Sequence, residues 1–196
     1  WRNPDCIASA RKEWTTSHPV RATSIFAQCK EGMTMGSRKA VPRQYLIRPV
    51  HILAYGFGSG LVPWGPGTAG TVMAVPLYLL LQGLSLPYYL GIVSLLFLSG
   101  VWICQTVADD LGVHDHPAIV WDEIVGYLVT MSLAPHGWQW VLVGFVLFRL
   151  FDIWKPWPIR VADRNLGNGF GIMFDDLLAG VMAAMVLQMI VWLLSL

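Results

Sequence analysis

The chain has 196 residues, enough for one domain or one compact helical bundle. It is 55% hydrophobic and 13% charged, whereas an ordinary soluble domain is about 25% charged. This composition argues against a soluble fold and favours a multi-pass membrane protein. The three cysteines, Cys6, Cys29 and Cys104, lack the spacing of a zinc site or a disulfide framework.

Charge is distributed unevenly along the chain. Residues 1–50 hold nine of the thirteen Lys and Arg residues but only three of the twelve acids. We therefore predict that residues 1–45 form a basic, disordered extension on the cytoplasmic side, and that residues 46–196 form a single helical membrane domain. A nucleic-acid-binding arm is the competing interpretation. We expect no nucleic-acid partner, because no folded basic domain accompanies the arm.

Five apolar runs follow a glycine-rich segment at residues 51–70, where turns are expected. They predict an all-α, multi-pass membrane bundle of four to five apolar helices, some of them short or re-entrant. The first run is either a full span or a half-buried hairpin. The runs are Thr71–Leu84, Pro87–Val107, Ile124–Ala134, Trp138–Phe151 and Leu177–Leu196.

The third and fourth runs are too short to cross a hydrocarbon core of about 30 Å. We therefore extend the third helix back to about Ala118 and the fourth forward to about Trp154, before Pro156 stops it. Both extensions bring charged residues into the helices.

These two helices are predicted to form a hairpin whose turn is centred near residue 136. Asp122 then stands opposite residue 150, level with Arg149 and Asp152. Arg149 and Asp152 are three residues apart, so they share one helix face. The spacing predicts a cluster of acid, base and acid.

All charged residues after position 50 lie before the third run, at the end of the fourth, or before the fifth. Alternating crossings place these three regions on the cytoplasmic side. Carboxylates at the edge of hydrocarbon are costly unless they are paired or bind a metal, and several on one face predict a Mg²⁺ site. Salt bridges that only anchor the helices are the alternative. The candidate metal ligands are Asp122, Glu123, Asp152, Asp175 and Asp176.

Asp175 and Asp176 follow a glycine-rich stretch, which predicts that a helix begins there. Simple capping at the positive end of the helix dipole would explain one of the two carboxylates. Asp176 is the better metal-ligand candidate.

Basic residues in or beside the same region suit a phosphate bridged to the metal. They are Arg149, Lys155, Arg160 and Arg164. The last two are candidates for binding the substrate phosphate, and the stretch that holds them is alternatively a surface segment that meets anionic lipid headgroups.

The segment at residues 58–70 offers the hydroxyls of Ser59 and Thr68, and backbone N–H groups before a helix, for binding phosphate. A tight re-entrant turn explains the segment equally well. His114 and His116 could each supply a metal ligand or a proton donor, or could lie in an ordinary polar loop.

Four strings in order along the chain resemble those of the phosphatidylglycerophosphatase A family, and the resemblance covers about residues 50–196. They are GFGSGLVPWGPGTAGT (56–71), GVHDHPAIVWDEIVG (112–126), FRLFDIWKPWPIRVADRN (148–165) and GIMFDDLLAG (171–180).

The resemblance implies an all-helical lipid phosphatase of the bacterial inner membrane whose active site faces the cytoplasm. Such an enzyme removes the terminal phosphate of phosphatidylglycerophosphate to give phosphatidylglycerol, with Mg²⁺ as cofactor. The acidic motif positions of the family carry over to the five candidate metal ligands. Its FR..D..KP motif carries over to Arg149, Asp152 and Lys155.

We expect water to attack the phosphomonoester, and the catalytic candidates are Asp152, Asp176, Arg149 and Lys155. A phospho-aspartyl intermediate is the second path. The rival functions are a small transporter or ion-binding membrane protein and a structural membrane subunit. A transporter would place its charges near mid-span, whereas these charges lie at span ends.

Overall fold

The computed structural model describes residues 41–42, 45–113, 116–157, 159 and 168–195. Within these ranges the chain is helical and has no strand, as predicted. A short 3-10 helix, Gly56–Leu61, follows the first α-helix. The α-helices are α1 (Pro49–Ala54), α2 (Pro66–Leu81), α3 (Leu86–Leu111), α4 (Trp121–Thr130), α5 (Trp138–Trp154) and α6 (Gly169–Leu194).

Helices α3 and α6 are long and apolar enough to span a membrane. Each has 26 residues, which corresponds to about 39 Å of helix, more than the roughly 30 Å of a hydrocarbon core. Large apolar side chains such as Leu95 on α3 and Met185 on α6 are exposed. Such surfaces are unfavourable in water and suit contact with lipid.

The predicted extension of the fourth run to Trp154 is confirmed, whereas the third run extends back only to Trp121 and not to Ala118. Helix α4 begins at Trp121, so Asp122 and Glu123 lie in its first turn. Helix α5 ends at Trp154, and Lys155 follows in a left-handed conformation with φ 43°. A proline at the next position disfavours continued helix.

The predicted start of the last helix is wrong. Helix α6 begins at Gly169, eight residues before Leu177, and the side chain of Asn168 caps it by accepting a hydrogen bond from the Gly171 N–H at 3.0 Å. A Cβ atom at Gly169 would overlap the carbonyl oxygen of Val101 on α3. Gly169 therefore serves helix packing instead of a loop, and Asp175 and Asp176 lie inside the helix.

Helices α4 and α6 touch backbone to backbone. A Cβ atom at Gly180 would overlap the carbonyl oxygen of Gly126, and one at Gly126 would lie 2.8 Å from the carbonyl oxygen of Asp176. Thr130 reinforces the contact, because its hydroxyl donates across the crossing to the carbonyl of Gly180 on α6 at 3.4 Å. Small residues permit this close approach of membrane helices. The acids Asp122 and Asp176 lie one turn before the two glycines, so the helices run in the same direction.

Helices α4 and α5 form the predicted antiparallel hairpin. Gly126 lies against the ring of Phe148, and the Tyr127 hydroxyl donates to the carbonyl of Val141 at 3.2 Å. Both contacts lie within a few residues of the predicted register. Each of the two helices nevertheless packs more extensively against α6 than against the other.

The segment around α1 is fastened to the end of α3. Arg48 forms an ion pair with Asp110 at 2.9 Å, and the Tyr45 ring stacks on His51 with 4.8 Å between centroids. Burial lowers the pKa of His51, although Asp110 opposes this shift. The N–H of Val120 donates to the carbonyl of Ala54 at 2.9 Å, which ties the chain before α4 to α1.

We predict that Gly180→Ala destabilises the protein by about 1–3 kcal/mol, because the new methyl group must push α4 and α6 apart. Thermal unfolding in detergent measures the effect. Gly91→Ala on α3 is the matched control, since a Cβ atom there meets open space. Equal stability of the two variants would contradict the backbone contact.

Candidate active site

Three carboxylates converge where α4 and α6 cross. Asp122, Glu123 and Asp176 each offer an oxygen atom, and these atoms lie within 4.8 Å of one another. Asp122 and Asp176 are buried, and Glu123 is half-buried. Atoms Oε2 of Glu123 and Oδ2 of Asp176 are buried and receive no hydrogen bond from the described part of the chain.

This arrangement fits a small, hard cation. Mg²⁺ prefers oxygen ligands at 2.0–2.1 Å, so oxygens on opposite sides of one ion are about 4 Å apart. Three carboxylates this close repel one another, and two of their buried oxygens have no donor among the described residues. A divalent cation at this point would satisfy those oxygens and reduce the repulsion. The three carboxylates, here named the acidic triad, are the metal-binding candidates.

The two other predicted ligands have cationic partners. An Arg149 nitrogen lies 2.5 Å from Oδ2 of Asp152, three residues later on α5. Nζ of Lys155 lies 2.6 Å from Oδ2 of Asp175. The predicted set of five carboxylates thus divides into the acidic triad and two ion-paired residues. The predicted cluster of acid, base and acid is present, with its base directed to Asp152.

One cavity of about 440 Å³ joins these groups. It lies between the start of α2, the end of α5 and the crossing of α4 with α6. Acids and bases therefore face a common space, which suits an anionic ligand held beside a metal. The lining residues are Gly65, Pro66, Gly67, Pro117, Ile119, Asp122, Glu123, Arg149, Asp152, Ile153, Lys155, Asp175 and Asp176.

The start of α2 forms one wall of this cavity. Pro66 occupies the first turn, and the first N–H groups of a helix have no partner within the helix. A Cβ atom at Gly67 would overlap Oε1 of Glu123 and would lie 2.9 Å from an Arg149 nitrogen. Gly67 thus leaves room for the side-chain ends of Glu123 and Arg149 beside the first backbone amides of α2, and such amides favour phosphate.

The two predicted phosphate-binding hydroxyls lie elsewhere. The Ser59 hydroxyl donates to the carbonyl of Gly56 at 2.9 Å, and Thr68 is exposed on the first turn of α2. Neither residue lines the cavity. Their assignment to phosphate binding stays a prediction that this geometry does not support.

Other candidates lie outside the described residues or outside the cavity. Arg160 and Arg164, predicted to bind phosphate, are outside the described residues, as are His114 and Asp115. His116 is buried, and its Nδ1 atom accepts a hydrogen bond from the N–H of Ala118 at 3.2 Å. This histidine shapes the turn before α4 and does not line the cavity.

Comparisons with known proteins agree over most of the chain. A phosphatidylglycerophosphatase A of Escherichia coli strain K12 is 49% identical over 152 residues, which cover 77% of this chain and 88% of that protein. One of Haemophilus influenzae is 49% identical over 146 residues, which cover 72% of this chain and 88% of that protein. No solved structure matches the chain. The sequence model of the phosphatidylglycerophosphatase A family matches residues 52–191, and the chain belongs to that family.

Proposed function

We propose that this chain is a Mg²⁺-dependent phosphatase that hydrolyses the terminal phosphomonoester of phosphatidylglycerophosphate to phosphatidylglycerol and phosphate. Family membership supports the reaction, because the relatives are named for it. The observation that carries the mechanism is the convergence of the acidic triad beside two cationic side chains in one cavity. A transporter would not need this pairing of a metal site with phosphate-binding groups.

The acidic triad would hold the metal ion through Asp122, Glu123 and Asp176. A bound Mg²⁺ supplies Lewis-acid stabilisation of phosphoryl oxygens and lowers the pKa of a coordinated water molecule. The crossing of α4 and α6 fixes the positions of the three carboxylates. Preorganised charge of this kind costs no rearrangement during the reaction.

The phosphate group would lie between Arg149, Lys155 and the first amides of α2. Arg149 is held by Asp152, and Lys155 is held by Asp175. These ion pairs orient the two cations toward the cavity and limit their motion. Spontaneous hydrolysis of phosphate monoesters is extremely slow, and charge stabilisation is the largest source of acceleration for such reactions.

Asp152 is our candidate for the base: like Asp175 it lines the cavity outside the acidic triad, and it lies on α5 beside Arg149, which would bind the phosphate. In the proposed step, the oxygen atom of water forms a bond to phosphorus and the bond from phosphorus to the glycerol oxygen breaks. Asp152 accepts the proton of the attacking water and returns it to the leaving glycerol oxygen. Arg149 and Lys155 stabilise the negative charge that shifts between the oxygens.

We further propose that the shorter apolar helices share the membrane with α3 and α6. Helix α2 has 16 residues and α5 has 17, about 24 to 26 Å each, so they cross most of the core. Helix α4 has 10 residues and enters only partway. In this proposal the cavity opens at the cytoplasmic face of the bacterial inner membrane, and the excess of Lys and Arg in residues 1–50 supports that orientation. Arg160 and Arg164 would there meet anionic headgroups or the substrate phosphate.

The direct test is phosphate release from phosphatidylglycerophosphate by the purified protein in detergent with Mg²⁺. We predict that Asp176→Asn lowers kcat about 100-fold or more, because it removes a charged ligand from the acidic triad. Asp109→Asn is the matched control, since Asp109 is exposed on α3.

The same assay is repeated after chelation with EDTA. Activity should be lost and should return when Mg²⁺ is added in excess. Full activity in the chelator would contradict the metal site, and an Asp176→Asn variant with normal activity would remove this residue from the site. A wild-type protein that releases no phosphate from the lipid would contradict the proposed function.

We also predict energetic coupling between Lys155 and Asp175. Each single change, Lys155→Met or Asp175→Asn, leaves a largely buried charge without its partner, whereas the double change leaves none. A double-mutant cycle on the free energy of unfolding should give coupling above about 1 kcal/mol. The more exposed pair Arg48 and Asp110 is the control and should couple less. Equal coupling in the two cycles would contradict a buried, structured ion pair at the cavity.

A further inference from the structure

We propose that an apolar stripe on α5 seats the acyl chains of the phospholipid substrate, and that the substrate enters the cavity sideways from the bilayer. The proposal rests on the proposed function. It concerns how a lipid with apolar chains reaches the acidic triad. The cavity between the start of α2 and the end of α5 is lined largely by charged groups, so the acyl chains need a different surface.

The stripe consists of Leu142, Val146, Leu150 and Ile153. All four side chains are exposed. Their spacing of three and four residues places them on one face of the helix. From the first to the last, the stripe measures about 16 Å, roughly half of a hydrocarbon core of about 30 Å. This is the depth of one leaflet, and therefore the depth that the chains of one lipid occupy.

Ile153 connects the stripe to the cavity. Two large aliphatic residues line the cavity, and they differ in exposure: Ile119 is buried, whereas Ile153 is 72% exposed. Ile153 lies one turn beyond Arg149, which also lines the cavity. A single lipid could thus place its phosphate beside Arg149 while its chains continue along the stripe. Other exposed apolar faces, such as that around Leu98 on α3, do not reach the cavity.

Tryptophans surround this junction. Trp64 precedes the cavity residue Gly65, while Trp154 and Trp157 flank Lys155, and all three indole rings are exposed. Exposed tryptophans are typical of the level where headgroups meet hydrocarbon. The cavity therefore lies at the depth of the lipid headgroups, and the stripe extends from it toward the middle of the bilayer.

The test compares a long-chain phosphatidylglycerophosphate in mixed micelles with a water-soluble dibutyryl analogue. Val146→Asn and Leu150→Asn, at stripe positions that do not line the cavity, should each raise KM for the long-chain lipid about tenfold, because each removes apolar contact with the chains. The kcat values, and kcat/KM for the soluble analogue, should stay within about twofold of the wild type. Leu98→Asn, at a 66% exposed position on α3, is the matched control and should leave all values unchanged.

A photo-crosslinking amino acid at position 150 or at position 98 gives a second measurement that does not depend on turnover. Label from a long-chain lipid phosphomonoester should enter at position 150, and excess soluble analogue should reduce this labelling, because both compounds place their phosphate in the same cavity. Equal labelling at both positions, or an equal rise in KM for long-chain and soluble substrates, would overturn the acyl-chain seat. A wild-type protein without lipid phosphatase activity would instead overturn the proposed function, so the two failures are distinguishable.

Discussion

The contact between Gly126 and Gly180 is the constraint on which the site depends. Apolar side chains gain little from meeting one another inside a lipid bilayer, so close packing must hold membrane helices together. Here the absence of two side chains lets α4 and α6 approach until backbone meets backbone. Asp122 and Asp176 lie one helical turn before these glycines, so the same approach brings their carboxylates together. A packing feature without any charge thus determines where the charges lie.

Carboxylates in such a place are unfavourable unless each has a partner. Asp152 and Asp175 obtain theirs from Arg149 and Lys155. The acidic triad is left with buried oxygens that no donor in the described residues reaches. The protein therefore presents two kinds of charge to one cavity: an acidic part suited to a cation and a basic part suited to an anion. Under the proposed function, phosphate held against a divalent ion requires both, which would account for five acids and two bases in so small a space.

Much of the architecture could be predicted from the sequence, because hydrocarbon imposes strict demands on length. Extending the short apolar run before Pro135 toward its N-terminal side placed Asp122 and Glu123 in the first turn of α4, although the helix itself, Trp121–Thr130, is too short to cross the hydrocarbon. The position of the turn near residue 136 predicted which residues of α4 and α5 face each other. The start of α6 could not be predicted in this way. Gly169 resembles a loop residue in the sequence, and only the proximity of α3 shows that it permits packing.

The sequence predicted which charged residues converge at the site, but not which of them form ion pairs with one another. The spacing of the acids along the chain predicts that all five lie at one level. It does not predict side-chain conformations, so the ion pair between Lys155 and Asp175 could not be predicted from the sequence. Gly67 was equally hidden, since its role depends on Glu123 and Arg149 from two other helices. Ser59 shows the opposite error: its hydroxyl resembled a phosphate ligand, but it bonds locally to the carbonyl of Gly56. Short polar side chains in turns often satisfy their own backbone.

Crystals of the protein grown with Mn²⁺ in place of Mg²⁺ would test the central claim most directly, through the anomalous scattering of the metal. We predict a peak bounded by carboxylate oxygens of Asp122, Glu123 and Asp176, on the cavity side of the crossing between α4 and α6. A peak held instead by Asp152 and Asp175, or no peak among these acids at saturating metal, would contradict the account.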